Sequence, residues 1–422
     1  MINNQVLARG QGDIRRLATH TVPQVGDATS LAYNWPDEPL GLYLHIPFCE
    51  SKCIYCDFNS YAHMEDQYGK FVDALCSDIE RGVSWDLPQT PDCSGAKVQT
   101  VFFGGGTPSV LEPSQIARIL AAAHSRYDIA RDAEITMEAN PGTISLDRFS
   151  GYRKSGINRL SMGVQVLDDA MLKKLGRIHT AQGALDSYYW ARAAGFENIN
   201  LDFIYGLPGQ DLAHFSAVLD TLLAVDPLPD HLSCYTLIVE EHTPLYIGVA
   251  RGLISVPDED AVAEMYEMLA EKLTTAGYRQ YEISNWCLPG RECSHNLIYW
   301  HDQRYLAFGP GASGYWGSTR YDTLLGPREY ATAVKLGESV LRTRDVVDRQ
   351  QEMGEYMMLG LRLNEGINLS EFQRRFGVTI PSVYGDELQR LRAHGLIVAD
   401  DEKVTLSERG RLVGNDVFER FI

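Results

Sequence analysis

Three cysteines fall close together in Cys49-Glu50-Ser51-Lys52-Cys53-Ile54-Tyr55-Cys56, a C-x3-C-x2-C spacing. Thiolates are soft ligands that suit iron–sulfur clusters or zinc. Either normally takes four ligands, and no fourth Cys follows at short range. Three clustered thiolates therefore point to a [4Fe-4S] cube whose remaining iron is open to a substrate or cofactor. A second chemistry-bearing stretch is Gly104-Gly105-Gly106-Thr107-Pro108. Glycines without side chains let backbone N–H and C=O groups approach a ligand closely. This run lacks the Gly-Lys-Ser/Thr ending of a phosphate-binding P-loop. Asp202 is a carboxylate inside an otherwise apolar run, Leu201-Asp202-Phe203-Ile204-Tyr205, and a buried carboxylate needs a partner.

The elements that would position these groups alternate. Strand-like apolar runs lie over 41–46, 98–103, 133–138, 158–164, 198–205 and 231–237. Between them, helical patterns cover 66–81, 113–125, 146–155, 180–194 and 212–224, with Gly156 and Gly195 as stops. Alternating βα units imply a parallel sheet with right-handed crossovers, and such sheets carry function at the carboxyl ends of their strands. The motifs obey that rule. The cysteine loop, the glycine run, Glu138, Gln165, Asp202 and Thr236 all fall at or late on a strand. Beyond residue 237 the alternation stops. A helix is expected over 258–276, then a Gly- and aromatic-rich region to about residue 345 that suits the wall of a site for a flat ligand.

Tyr43-Leu44-His45-Ile46-Pro47-Phe48-Cys49, Tyr55 before the last cysteine, and Cys56-Asp57-Phe58-Asn59 together resemble the HemN/HemW branch of the radical S-adenosylmethionine (SAM) superfamily. The resemblance runs from about residue 39 to the C-terminus. It implies an α/β fold, an open (β/α)6 partial TIM barrel, with a small helical, winged-helix-like C-terminal domain covering the barrel opening. It implies a [4Fe-4S] cluster on Cys49, Cys53 and Cys56. It also implies SAM held by Tyr43, Tyr55, Gly105, Gly106, Thr107, Glu138, Gln165, Arg177, Asp202, Thr236 and Ser313. His295-Asn296-Leu297-Ile298-Tyr299-Trp300 resembles a word of the haem-chaperone members of the branch, which makes His295 an expected haem ligand, with Cys293 nearby. The dehydrogenase members, which decarboxylate coproporphyrinogen III oxidatively, carry a fourth cysteine where this chain has Phe58. A haem chaperone passing haem to an acceptor protein is thus favoured over the dehydrogenase. A methyltransferase or cyclopropanase of the same branch stays open, and so does whether the protein is a catalyst at all.

The 422 residues suit one large domain and a smaller one, divided as 1–38, an extension or strap; 39–245, the core barrel; 246–345, the haem-site region closing the barrel; and 346–422, the C-terminal domain. A net charge of −18 argues against nucleic acid or anionic lipid as a general partner. The near balance of charge in the C-terminal domain argues against a DNA-reading winged helix. No long apolar run spans a membrane and no export signal is evident, although peripheral membrane contact stays open. Eight cysteines without an export signal fit a reducing compartment, the cytoplasm. Cys76, Cys93, Cys234 and Cys287 have no metal spacing, and Cys76 and Cys234 read as core or surface thiols. The expected partners are haem, a haem acceptor and an electron donor such as a flavodoxin or reductase, with the chain a monomer or dimer.

Overall fold

The computed structural model describes residues 38–93 and 96–422. The expectation of an N-terminal strap falls outside the described residues, save for its last position. Six strands follow in order: β1 (Leu40–Ile46), β2 (Lys97–Gly105), β3 (Asp128–Ala139), β4 (Arg159–Gln165), β5 (Ile199–Tyr205) and β6 (His231–Thr236). Each pairs in parallel with the next. The crossovers carry α1 (Tyr68–Arg81), α2 (Pro113–Arg126), α3 (Leu146–Ser155), α4 (Ala181–Ala193) and α5 (Leu212–Leu223). Local chemistry sets their ends. Glu112 and Gln115 form a capping box at α2, whose first residue is Pro113. Ser145 accepts from the Arg148 amide at the start of α3, and Gly156 ends that helix in the left-handed conformation.

The two faces of these strands differ. Leu42, Leu44, Val101, Phe103, Leu160, Met162, Leu201 and Phe203 are buried in one core with the helices. The alternate positions carry Tyr43, His45, Thr100, Glu138, Ser161, Asp202 and Ser233, of which all but Tyr43 are buried. A strand of period two with one apolar and one polar face separates a helix-packed exterior from a polar lumen.

The sheet does not end with the six units. It is 12-stranded and extends past both barrel edges. Beyond β6 lie β8 (Asn285–Cys287) and then β7 (Arg279–Glu282), both antiparallel. Beyond β1 lies β9 (Tyr305–Phe308), parallel to it. It is followed by the antiparallel β10 (Ser313–Trp316), β11 (Thr319–Thr323) and β12 (Leu341–Val346). The region expected to form the wall of a site thus supplies both flanks of the sheet.

A short helix, α6 (Ser294–Trp300), lies at the amino-terminal end of the barrel. Its Trp300 belongs to a second core made with the C-terminal residues Met357, Leu361, Phe372 and Phe418. The Arg362 guanidinium lies 4.4 Å over the Trp300 ring. A buried charge network completes the junction. Asp302 sits 2.7 Å from Arg375 and 3.3 Å from Arg320, and Glu352 lies 2.7 Å from Arg304. The C-terminal part therefore docks on the residues around α6 and the turn before β9, at the floor. The expected lid over the barrel opening is corrected: these contacts lie at the end of the barrel away from the cysteine loop. The winged-helix order itself is present, as Leu369–Phe376, Ile380–Ala393 and a three-stranded sheet that includes Ile397–Ala399 and Lys403–Leu406.

Candidate functional site: a thiol loop above a polar lumen

The cysteine loop leaves the carboxyl end of β1. Phe48 and Cys49 pair in parallel with Tyr61 and Ala62, which closes the loop at its base. The glycine run that ends β2 docks against it. The Gly106 amide donates to Ile46 O at 2.8 Å, and the Thr107 amide donates to Phe48 O at 2.7 Å. A Cβ on Gly106 would sit 2.6 Å from Phe48 O, so that residue must be glycine for the loop to seat. On the other side the Ile54 amide donates to Leu175 O, and Ile54 O accepts from the Leu245 amide.

All three thiols are half-buried and lie within one electrostatic neighbourhood. Burial raises the Cys56 thiol to about 11, against the Phe58 amide that favours its thiolate, and Cys53 and Cys49 add to the rise. Burial likewise raises Cys49, opposed by the Thr107 and Ser60 hydroxyls. The Thr107 hydroxyl donates to Cys49 Sγ at 3.3 Å. Arg177 donates to Cys53 Sγ at 3.6 Å and anchors itself on Gly163 O at 2.6 Å. Burial also raises the Tyr55 hydroxyl beside Cys53 and Arg177. Among the described residues, no three His, Cys, Asp or Glu side chains converge on a point where one metal ion would sit. A cube differs from a single ion because it takes each thiolate on a separate iron. Three neighbouring thiols with a cation and hydroxyls turned to their sulfurs fit that donor set.

Below the loop, most of the expected SAM residues face the lumen. Tyr43 bonds His45 Nδ1 at 3.0 Å, and His45 Nε2 donates to Asn59 O at 2.9 Å. Burial holds His45 neutral, its pKa lowered to about 4. Glu138 is buried and accepts from the Gly105 amide at 3.2 Å. Asp202 accepts from Asn200 at 2.8 Å and from Ser161 at 3.2 Å. Gln165 ends β4 with φ of 71°, a strained left-handed conformation for a residue with a side chain. A Cβ on Gly163 would lie 2.9 Å from the Gln165 amide and 3.3 Å from the Arg177 guanidinium, so a glycine there makes room for both.

Thr236, Ser313 and His295 stand apart from this set. Thr236 lies at the rim, but the alternation of β6 turns its side chain outward beside Tyr205. Tyr235 is the lumen residue of that strand, and strand alternation was the signal for it. Ser313 donates to Asp322 on the next strand of the flank. His295 lies elsewhere. It is 1% exposed, at the floor rather than the rim. Its Nδ1 bonds Thr100 at 2.7 Å and its Nε2 bonds Tyr299 at 3.0 Å, with Phe102 stacked on the ring. An axial ligand needs a free nitrogen lone pair that can reach iron. Here both nitrogens are engaged, and burial, with Arg159 nearby, lowers the pKa to about 3. The floor is sealed around it. Glu134 accepts from the Ser294 and His295 amides at 3.0 and 3.1 Å and from the Cys293 thiol, and it lies 3.9 Å from Arg159. Cys293 is thus committed to the floor as well. His231 continues the seal, bonding Asn200 at 2.7 Å and Tyr281 at 2.9 Å.

Glu138 gives a pH dependence. Burial, with Asp202 adding, raises its pKa to about 8. A raised carboxyl is protonated in the fold while the unfolded chain has already ionised. Stability is therefore undiminished below the unfolded pKa and falls as pH rises from about 4.5 towards 8. Glu138→Gln is expected to flatten that decline, so thermal melts of the two proteins should lie close together at pH 5 and diverge towards pH 8, with wild type the lower. Parallel melting curves across this range would mean that Glu138 is ionised in the fold.

The fold and the thiol rim define a radical SAM domain joined to a helical C-terminal module. Residues 43–222 match the radical SAM superfamily, and residues 347–413 match the HemN C-terminal domain. The chain is 36% identical over 385 residues to the haem chaperone HemW of Escherichia coli K12, covering 91% of this chain and 98% of that protein. It is 35% identical over 381 residues to the haem chaperone HemW of Bacillus subtilis 168, covering 90% and 98%. The solved structure of coproporphyrinogen III oxidase (HemN) from Escherichia coli, a radical SAM enzyme, superposes with a TM-score of 0.78 at 25% identity, over 92% of this chain and 91% of that one. The chain belongs to the HemW family. Membership of the radical SAM superfamily implies a [4Fe-4S] cluster and SAM. Among the described residues, no helix is long and apolar enough to cross a membrane.

Proposed function

We propose that the protein is a haem chaperone that holds haem at the carboxyl-end rim, beside a SAM-ligated cluster, and passes it to an acceptor protein. Cys49, Cys53 and Cys56 would hold the cluster. Tyr43, Tyr55, Gly105, Gly106, Thr107, Glu138, Gln165, Arg177 and Asp202 would line the SAM site, with Thr236 and Ser313 at its edge. The cluster, when reduced, supplies one electron to SAM. The protein orients that cofactor, and its sealed floor keeps water out from below. An electron donor of flavodoxin or reductase type and a cytoplasmic setting fit this reading.

The observation that carries haem binding is the apolar character of the rim. Ile178, Ile238, Tyr246, Ile247, Leu253 and Leu325 are large apolar side chains, all exposed, on loops and a helix at that end. Large apolar side chains left exposed around the mouth of a site suit a flat macrocycle. Two exposed imidazoles, His63 and His242, stand on the same rim with left-handed backbone. Unlike the ring of His295, they offer exposed nitrogens to iron at the rim.

The test is an anaerobic haem titration of the reconstituted protein. A single haem per chain is expected. Ile247→Asp with Leu253→Asp should weaken binding about a hundredfold, because each buried aliphatic contributes roughly 1.5–3 kcal/mol. Unchanged affinity in that double variant would remove the rim as the haem seat. The HemN neighbour favours a second reading, a coproporphyrinogen III dehydrogenase. Phe58, where those enzymes carry a fourth cysteine, argues against it. Protoporphyrinogen formed from coproporphyrinogen III with SAM and a reductant would establish it.

A further inference from the structure

Thr107 sits where a threonine ordinarily caps a helix. It precedes the turn Pro108–Val110, yet its side chain makes no capping hydrogen bond. The hydroxyl instead reaches Cys49 Sγ at 3.3 Å. Its aim is fixed by the backbone, since the Thr107 amide is tied to Phe48 O, next to Cys49 in the chain. Ser60 approaches the same sulfur. Its hydroxyl is buried and completes no hydrogen bond among the described residues, yet it lies close enough to Cys49 to favour the thiolate. Cys53 has the Arg177 guanidinium and Cys56 the Phe58 amide. Each sulfur thus has its own donor. Cys49 has one neutral hydroxyl donating to it, from Thr107, and a second, unpartnered, from Ser60 nearby, and both can be removed without changing charge or backbone.

We propose that Thr107 is a positioning residue that donates to the Cys49 thiolate of the cluster and, with the unpartnered Ser60 hydroxyl beside it, sets its reduction potential. This rests on the reading that the three thiols hold a [4Fe-4S] cluster. Reduction adds one negative charge to the cluster. Hydrogen bonds to its sulfurs favour that added charge and raise the potential. A hydroxyl that served only a turn, or only SAM, would leave the potential of the SAM-free cluster where it was.

The experiment is a redox titration of the reconstituted cluster, without SAM, followed by its electron paramagnetic resonance signal. Thr107→Val, which keeps the shape and removes the donor, is expected to have a midpoint below that of the wild type. Thr107→Ser should restore it. Ser60→Ala should shift the midpoint in the same direction, and the double variant should lie lowest. If Thr107→Val fails to load a cluster, Ser60→Ala against wild type carries the measurement. Midpoints that coincide across wild type, Thr107→Val and Ser60→Ala, at equal iron and sulfide content, overturn the proposal. A wild-type protein that takes up no cluster overturns the cluster reading instead, which is a separate outcome.

Discussion

Replacing Cys53 with serine is expected to abolish the cluster. Cys53 is the middle thiol of the loop, and the one that Arg177 approaches. An alcohol is a poor substitute for a thiolate on iron, because its oxygen is hard and keeps its proton at neutral pH. With one of three protein ligands lost, the reconstituted variant should show iron and sulfide near background and no visible charge-transfer absorbance. SAM binding should fail with it. The fold should survive, because the loop is closed at its base by the Phe48–Tyr61 pairing and by backbone bonds from Ile54 and Gly106, none of which uses the Cys53 side chain. Far-ultraviolet circular dichroism should therefore match wild type. Cys76→Ser is the control, since that half-buried thiol lies on α1 away from the loop. Equal iron content in the Cys53 and Cys76 variants would show that these thiols are not the ligands.

Much of the barrel was legible because its strands and helices are local. The strands lie within a few residues of the apolar runs, and Gly156 and Ser145 mark helix ends as capping chemistry requires. The thiol loop was legible for a different reason: ligand spacing is written in consecutive residues. One thing was not legible. The pairing of β9 with β1 joins Tyr305–Phe308 to residues far away in the chain, and a four-residue strand has no period to detect. The side on which each residue lies is written in the strand period. Arg159-Leu160-Ser161-Met162-Gly163-Val164-Gln165 alternates polar or small with apolar, and so does His231-Leu232-Ser233-Cys234-Tyr235-Thr236. Reading that period turns Tyr235 into the lumen and Thr236 out of it. It also shows why Asp202 tolerates burial, since Ser161 and Asn200 face it from the polar side. The His-Asn-x-x-Tyr-Trp word does not by itself disclose its place in the fold, for a physical reason. An aromatic, polar word looks the same in sequence whether it lines an open site or plugs a floor, because only tertiary burial tells the two apart.

Replacing His295 with alanine should separate those two roles. In the fold, the ring satisfies the Thr100 and Tyr299 hydroxyls and stacks on Phe102, with ring centroids 5.0 Å apart. Removing it strips Thr100 of its buried partner and leaves a gap under Phe102. Unsatisfied buried hydroxyls cost about 1–3 kcal/mol each, and the gap adds to that, so a loss of roughly 2–4 kcal/mol is expected after partial relaxation. Urea denaturation should show the lower midpoint. The junction with the C-terminal module should loosen with it, because α6 also carries Trp300, and limited proteolysis should cut between residues 346 and 422 sooner than in wild type. Haem affinity and cluster iron, measured well below the transition, should stay at wild-type values, since the rim and the thiol loop lie at the opposite end of the barrel. His242→Ala and His63→Ala are expected to do the reverse, shifting the haem absorption band while leaving the urea midpoint unchanged. A His295→Ala protein of full stability that no longer binds haem would return the imidazole to the iron and require the floor to open.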